Sequence, residues 1–203
     1  LYLNSLNMEH FGCNAIEGYE LVAERIRQDV SKCVGGEVSA CVFGPESRCV
    51  PSALVDYSIL ENEPWASDIV IDRYTDAPEL LEKAKDGGIM TVATHLLRSN
   101  CKITHQPDWG TAYILMSGKD LPTEESLLKY LVSIRGENHF HEEICEMIYT
   151  RLWRAFRPDE MMVCCVYTRR GGIDICPMRA SSEELLPVGL KESALLTEKL
   201  MRQ

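Results

Sequence analysis

From Met90 onward the apolar residues switch between a two-residue and a 3.6-residue period, and the order of the switches leaves few folds open. Met90 to Cys101 reads as a strand and Thr111 to Met116 as its partner. Pro122-Thr123-Glu124-Glu125 is a helix start with acids in the first turn, and Leu127, Leu131 and Ile134 then form one buried face. Asn138 is placed to cap a second helix, in which Ile144, Ile148 and Leu152 recur every four residues until Pro158 ends it. Met161 to Thr168 is an apolar strand, Arg169 to Gly172 a Gly-Gly turn, and Ile173 and Ile175 alternate in a returning strand. Strand, strand, helix, helix, strand, strand suits an antiparallel sheet with two helices packed on one face, an α+β unit.

The first half is less regular. Leu1 to Leu6 reads as the end of a strand, followed by a helix from about Glu17 to Cys33 with Val22, Ile26 and Val30 on one face and Gly35-Gly36 as its stop. Val38 to Phe43 and Asp68 to Tyr74 read as strands, and Gly44 to Asn62 between them is irregular, broken by Pro45 and Pro51. The polar stretch Asp76 to Gly88, with Pro78 and Gly87-Gly88, marks a boundary near residue 86, giving domains 1–85 and 86–203. The stretch Lys191 to Gln203 is amphipathic and reads as a short docking helix or a fraying end. The chain begins Leu-Tyr-Leu without Met, and reads as a fragment whose start has been cut off.

One stretch gathers chemistry. Cys101, His105 and Asp108 place a thiol, an imidazole and a carboxylate within eight residues. Pro107 fixes its own φ and biases Gln106 toward extended geometry. A strand into Cys101 and a bend before Asp108 bring thiol and acid over one pocket, an arrangement suited to nucleophilic attack with a nearby proton donor. For Asp108 to donate near neutrality, burial must raise its pKa. The competing readings are a buried structural cysteine and an ordinary turn carboxylate. Two further candidates follow the capping Asn138: His141 and Glu142, with Glu143 as an adjacent competitor. Arg169-Arg170-Gly171-Gly172 sets two cations on a Gly turn, which suits phosphate or a solvated hairpin tip.

Composition narrows the ligand. The net charge of −10 argues against a nucleic-acid backbone as the main partner, because phosphate contacts need clustered Lys and Arg. No apolar run approaches a membrane span. The nine cysteines are odd in number, with no CxxC pair, which argues against a disulfide framework and fits a reducing cytoplasm. Zinc is the chemical rival, through His139, His141, Cys101, His105 and the Cys164-Cys165 pair, but none has the usual ligand spacing, so no metal is expected. The absence of Gly-x-Gly-x-x-Gly argues against a Rossmann cofactor site.

Four stretches, Leu97-Arg98-Ser99-Asn100-Cys101, His105-Gln106-Pro107-Asp108-Trp109, Phe140-His141-Glu142 and Tyr167-Thr168-Arg169-Arg170-Gly171-Gly172-Ile173-Asp174, together resemble the NADPH-dependent nitrile reductases of queuosine biosynthesis. Leu1-Tyr2-Leu3-Asn4-Ser5 and the helix after it resemble the amino-terminal half of that family's long, two-module form. The resemblance implies reduction of 7-cyano-7-deazaguanine to 7-aminomethyl-7-deazaguanine, with NADPH as cofactor and no nucleic-acid or membrane partner. It implies tandem tunnel-fold modules assembled into a barrel-like homo-oligomer, with a dimer as the expected state. It assigns the thioimide-forming nucleophile to Cys101, the acid to Asp108, substrate binding to His141 and Glu142, and NADPH contacts to Arg170 and Gly171. In the family a Glu-Ser-Lys element precedes the Leu-Tyr-Leu stretch and helps hold substrate and cofactor; nothing precedes Leu1 in this chain. A related tunnel-fold amidinotransferase acting on the nitrile in tRNA, and a non-catalytic deazaguanine-binding module, are the alternatives.

Overall fold

The computed structural model describes residues 2–6, 9–42, 56–170, 173 and 175–186. The chain divides into two compact units, Leu1–Arg48 and Cys49–Gln203. The break therefore falls near residue 48 and not near 86. Residues 56–85 join the second unit because their backbone and apolar side chains find partners there: Ser58 pairs with Val92, Leu60 is fully buried in the core, and Ala84 N–H donates to Leu121 O at 2.8 Å.

In the first unit, α1 (Tyr2–Ser5) is a single helical turn and α2 spans Ala15–Val34. Asn14 caps α2 by accepting from Glu17 N–H at 3.0 Å, and Gly35 ends it at φ +67°, a left-handed conformation glycine adopts without steric cost. The expected strands at 1–6 and 38–43 are not observed over the described residues: 2–5 is helical and 37–42 has no ladder. A short alternating stretch needs a neighbouring strand to pair with, and this unit offers none among its described residues.

The second unit is a five-stranded sheet in the order β1 (Ser58–Ile59), β2 (Gly88–Asn100), β3 (Pro107–Gly118), β4 (Glu160–Tyr167), β5 (Met178–Ala180). β1 runs parallel to β2 and the other neighbours are antiparallel. Helices α3 (Glu124–Ser133) and α4 (His141–Phe156) lie between β3 and β4 in sequence. Leu127, Leu131 and Ile134 from the first helical segment and Ile144, Ile148 and Leu152 from α4 share one core with Val92, Ile114, Met161, Val163 and Cys165. The alternate residues Ala93, Tyr113, Met162, Cys164 and Val166 form a second cluster. Both helices thus cover one face of the sheet, and the α+β expectation holds.

The register of β2 against β3 shifts between Thr94 and Leu97, where one extra residue enters β2. Because side chains alternate, this bulge exchanges the faces of β2: Val92 points to the helices before it and Leu97 after it. Near the bulge Gly110 lies close beneath Tyr167; a Cβ there would stand 3.0 Å from Tyr167 Cδ1.

Three further expectations shift. Asp68–Tyr74 forms no strand; Pro64–Asp68 is a 3₁₀ helix and the chain then runs without a ladder, Ile69 and Ile71 packing on the core instead. Asn138 does not cap α4; the first residue before the helix is Phe140, whose N–H donates to Glu143 Oε2 at 2.8 Å. The returning strand β5 begins at Met178, after Pro177, which has no N–H to give to a ladder and accepts from Cys165 N–H at 3.0 Å. Ile173 only exchanges hydrogen bonds with Arg170, at 3.0 and 2.9 Å. Residues 171, 172, 174 and 187–203, which include Gly171 and the proposed terminal helix, lie outside the described residues. No helix among the described residues is long and apolar enough to cross a membrane.

Candidate active site

The β2–β3 hairpin sets the thiol. Asn100 is the last residue of β2, and Cys101 opens a six-residue loop in which Cys101 N–H donates to Gln106 O at 2.8 Å and His105 N–H to Cys101 O at 2.9 Å. His105 sits at φ +55°, a conformation uncommon for a residue with a Cβ, and its Nδ1 meets Asn138 Oδ1 at 2.9 Å. The imidazole that the sequence placed beside the thiol thus joins the hairpin to the segment before α4.

That segment carries the second set of residues. Asn100 and Asn138 form a parallel bridge, with Asn100 N–H to Glu137 O at 2.8 Å and His139 N–H to Asn100 O at 3.1 Å. The bridge fastens the start of α4 to the end of β2, so Phe140, His141 and Glu142 stand beside Cys101. On the other side, Thr168 N–H and Oγ1 both donate to Trp109 O at 2.8 Å, which brings Arg170 to the start of β3.

These elements enclose a cavity of about 580 Å³ whose lining includes Cys101, Asp108, His141, Glu142 and Arg170. Five of the six site residues read from the sequence therefore face one space. Asp108 is buried, at 2% exposure, and is held from two sides. Arg170 donates through Nε at 2.7 Å and through Nη2, and His141 Nε2 lies 3.3 Å from the other carboxylate oxygen. Burial is the largest single influence on Asp108 and pushes its pKa up, yet the hydrogen bonds from His141 and Arg170 more than offset it and the carboxyl sits below its ordinary value. The expectation that burial makes Asp108 a neutral acid meets two hydrogen-bonding partners, Arg170 and His141, whose approach the local spacing did not reveal.

The half-buried Cys101 thiol is also lowered, mainly by a hydrogen bond with the Thr104 side chain and then by the backbone at 104 and 103. A lowered thiol is more often thiolate, the nucleophilic form. His141 is 5% exposed and stacks on the fully buried Tyr167, ring centroids 4.0 Å apart and planes 7° from parallel. The stack fixes the imidazole with Nε2 toward Asp108.

The adjacent glutamates separate cleanly. Glu143 accepts from Phe140 N–H at 2.8 Å and from Lys102 Nζ at 3.0 Å, and these bonds hold its pKa at about 2. Its carboxylate is spent on the helix start. Glu142 is exposed to the cavity and makes no hydrogen bond or ion pair with the described residues. Lys102 also lies 5.6 Å over the Phe140 ring, which is 45% exposed at the cavity wall.

Of the candidate zinc ligands, Cys101, His139 and His141 line the cavity, and the others lie elsewhere. Cys164 and Cys165 are buried in different clusters on opposite faces of β4, and His139 lies between Glu137 and Glu143. No group of three or more His, Cys, Asp or Glu side chains among the described residues is arranged to hold a metal ion.

Residues 107–185 match the QueF-like protein family. The match begins at Pro107 and includes Asp108, His141, Glu142 and Arg170. Among solved structures, the crystal structure of an archaeosine synthase, QueF-like, in the apo form is similar at 17% identity, covering 48% of this chain and 95% of that one, with a TM-score of 0.41.

Proposed function

We propose that this chain is a nitrile reductase of the QueF kind, which reduces 7-cyano-7-deazaguanine to 7-aminomethyl-7-deazaguanine in queuosine biosynthesis. The observation that carries the reading is the convergence of a lowered thiol, Cys101, and a buried carboxylate, Asp108, on one 580 Å³ cavity. A cavity of that size suits a bicyclic heterocycle. The family match over 107–185 supports it.

In this reading Glu142 receives the ring. Its carboxylate, unpaired among the described residues, accepts two hydrogen bonds from the N–H edge of the guanine-like heterocycle, and His141 lies beside it. Cys101 then adds to the nitrile carbon: a C–S bond forms and the nitrile C≡N becomes C=N–H, a thioimide. The proton on nitrogen is the one the thiol gives up. Asp108, held ionised by Arg170 and His141, first accepts that proton and then passes it to nitrogen. Burial keeps bulk water from competing for the proton.

NADPH, when bound, supplies the hydrides that reduction of a nitrile to an amine requires. Arg170 is the described cation suited to a phosphate at this cavity, with Gly171 next to it in sequence. Its donors now go to Asp108, to Gln106 Oε1 at 2.5 Å and to Pro107 O at 3.3 Å, so it fits an anionic group by releasing some of these. The reading also carries tandem tunnel-fold modules, the second of them catalytic, in a homo-oligomer, with a free small molecule as substrate.

The test is oxidation of NADPH, followed at its absorbance band, on adding 7-cyano-7-deazaguanine. Oxidation that stops in Cys101→Ala supports the reading. A covalent adduct without NADPH oxidation, but with uptake of ammonia, supports the amidinotransferase. Ligand binding with neither adduct nor turnover supports a binding module.

A further inference from the structure

On the face of β3 opposite Asp108 lies a second polar feature that the proposed reaction does not use. Trp109 follows Asp108, so its side chain leaves the other side of the strand. Arg98 is its cross-strand partner in β2, carried to that face by the bulge. The Arg98 guanidinium lies 5.6 Å from the Trp109 ring centroid. Arg135, from the 3₁₀ turn Ile134–Gly136 after α3, places its guanidinium 5.5 Å from the same centroid.

Neither arginine meets a carboxylate among the described residues, in a chain with 31 acidic side chains against 21 Lys and Arg. Among the described residues their hydrogen bonds run to neutral oxygens: Arg98 Nη2 to Asn100 Oδ1 at 3.2 Å, and Arg135 Nη2 to Leu96 O at 3.4 Å. The Nε of each is buried with no partner. Both side chains are half-buried, and burial together with the charge of Arg98 holds the Arg135 pKa below its usual value. Two desolvated cations that repel one another and lack a counter-charge are a costly arrangement, which an anion between them would relieve. Asn100 ties the pair together, its Oδ1 accepting from Arg98 and its Nδ2 donating to Arg135 O at 3.4 Å.

We propose that Arg98 and Arg135, set against Trp109, form a binding site for a single phosphate group carried by a small nucleotide. The guanidinium fork matches phosphate oxygens two at a time, and most of the donors on both side chains are uncommitted. Two cations balance one dianionic phosphate. A nucleic-acid backbone needs a run of such contacts, and a net charge of −10 opposes it. This site stands on the opposite face of β3 from the thiol cavity and is independent of the proposed reduction.

The test titrates inorganic phosphate into the full chain, replacing chloride at constant ionic strength, and follows tryptophan fluorescence and thermal unfolding. Saturable binding is expected, displaced by a 5′-mononucleotide, and weakened about tenfold or more in each of Arg98→Gln and Arg135→Gln. If a glutamine variant fails to fold, Arg98→Lys with Arg135→Lys keeps the charges but loses the forks, and should also bind more weakly. No saturable response, or equal affinity in the wild type and the variants, overturns the proposal. So does a single-stranded ribo-oligomer that binds far more tightly per phosphate with a steep salt dependence, which would make this an RNA surface. Self-association at rising protein concentration that the variants abolish would overturn it too, assigning the arginines to a second copy of the chain.

Discussion

Arg170 and Asp108, 62 residues apart, are joined by two hydrogen bonds from one guanidinium to a single carboxylate oxygen, and that bond fixes the charge at the centre of the cavity. His141 holds the other oxygen. Asp108 is therefore an ionised group in the ligand-free protein, able to take a proton before giving one.

This pairing gives a pH signature. A carboxyl with a depressed folded pKa contributes stability above its unfolded value, about 3.9, and loses it as pH falls through the folded value. Arg170→Gln removes one partner of a buried charge and should cost roughly 1.5–3 kcal/mol near pH 7. The difference from wild type should shrink as pH drops below 4. Urea unfolding of both proteins from pH 7 down to pH 3 checks it; a deficit that stays constant across that range contradicts the pairing.

The two adjacent glutamates should part under mutation. Glu143→Ala removes the acceptor for Phe140 N–H and the partner of Lys102, so it should lower the melting temperature. Glu142→Ala touches no described partner and should leave the melting temperature unchanged. It should weaken capture of 7-cyano-7-deazaguanine by roughly tenfold to a hundredfold. Calorimetric titration with parallel melting curves separates the two, and a stability loss in Glu142→Ala equal to that in Glu143→Ala would contradict the assignment.

The Cys101 thiol should react below the pH range of a free thiol, which titrates near 8.5. Thr104→Val removes the first cause of the lowering, so the pH profile of Cys101 alkylation should move up. The measurement is iodoacetamide labelling read by peptide mass spectrometry across pH 6 to 10. An unchanged profile would show that Thr104 does not tune the thiol.

Gly110→Ala should disturb the site from beneath. Its Cβ would press on Tyr167 Cδ1 at 3.0 Å and on Val166 O at 3.1 Å, shifting the ring on which His141 stacks. A cost of about 1–3 kcal/mol is expected. Equilibrium unfolding measures it, and a change within 0.5 kcal/mol, the usual surface range, would show that the sheet yields there without strain.

The second half was legible because its elements are long and strongly periodic. Met90–Cys101 and Leu127–Ile134 need only their own side chains to declare a strand and a buried helix face. The parallel pairing of Ser58–Ile59 was not legible, since two residues carry no period. Val38–Phe43 had the right residue types but no partner strand among the described residues. The bulge at Thr94–Leu97 hides inside a run apolar enough to suit either face. In the site, sequence proximity suggested Cys101, His105 and Asp108; the fold turns His105 to Asn138 and brings His141 and Arg170 to Asp108 from more than thirty and sixty residues away. Those partners reverse the direction of the Asp108 pKa, which no local spacing could reveal.

The central claim is that Cys101 is the nucleophile of a site built for a nitrile. It is tested most directly by intact-mass spectrometry of the protein incubated with 7-cyano-7-deazaguanine without NADPH. One ligand mass should add to the wild type and to Cys13→Ala, and none to Cys101→Ala. An adduct of equal yield in Cys101→Ala, or no adduct on the folded wild type, would contradict the account.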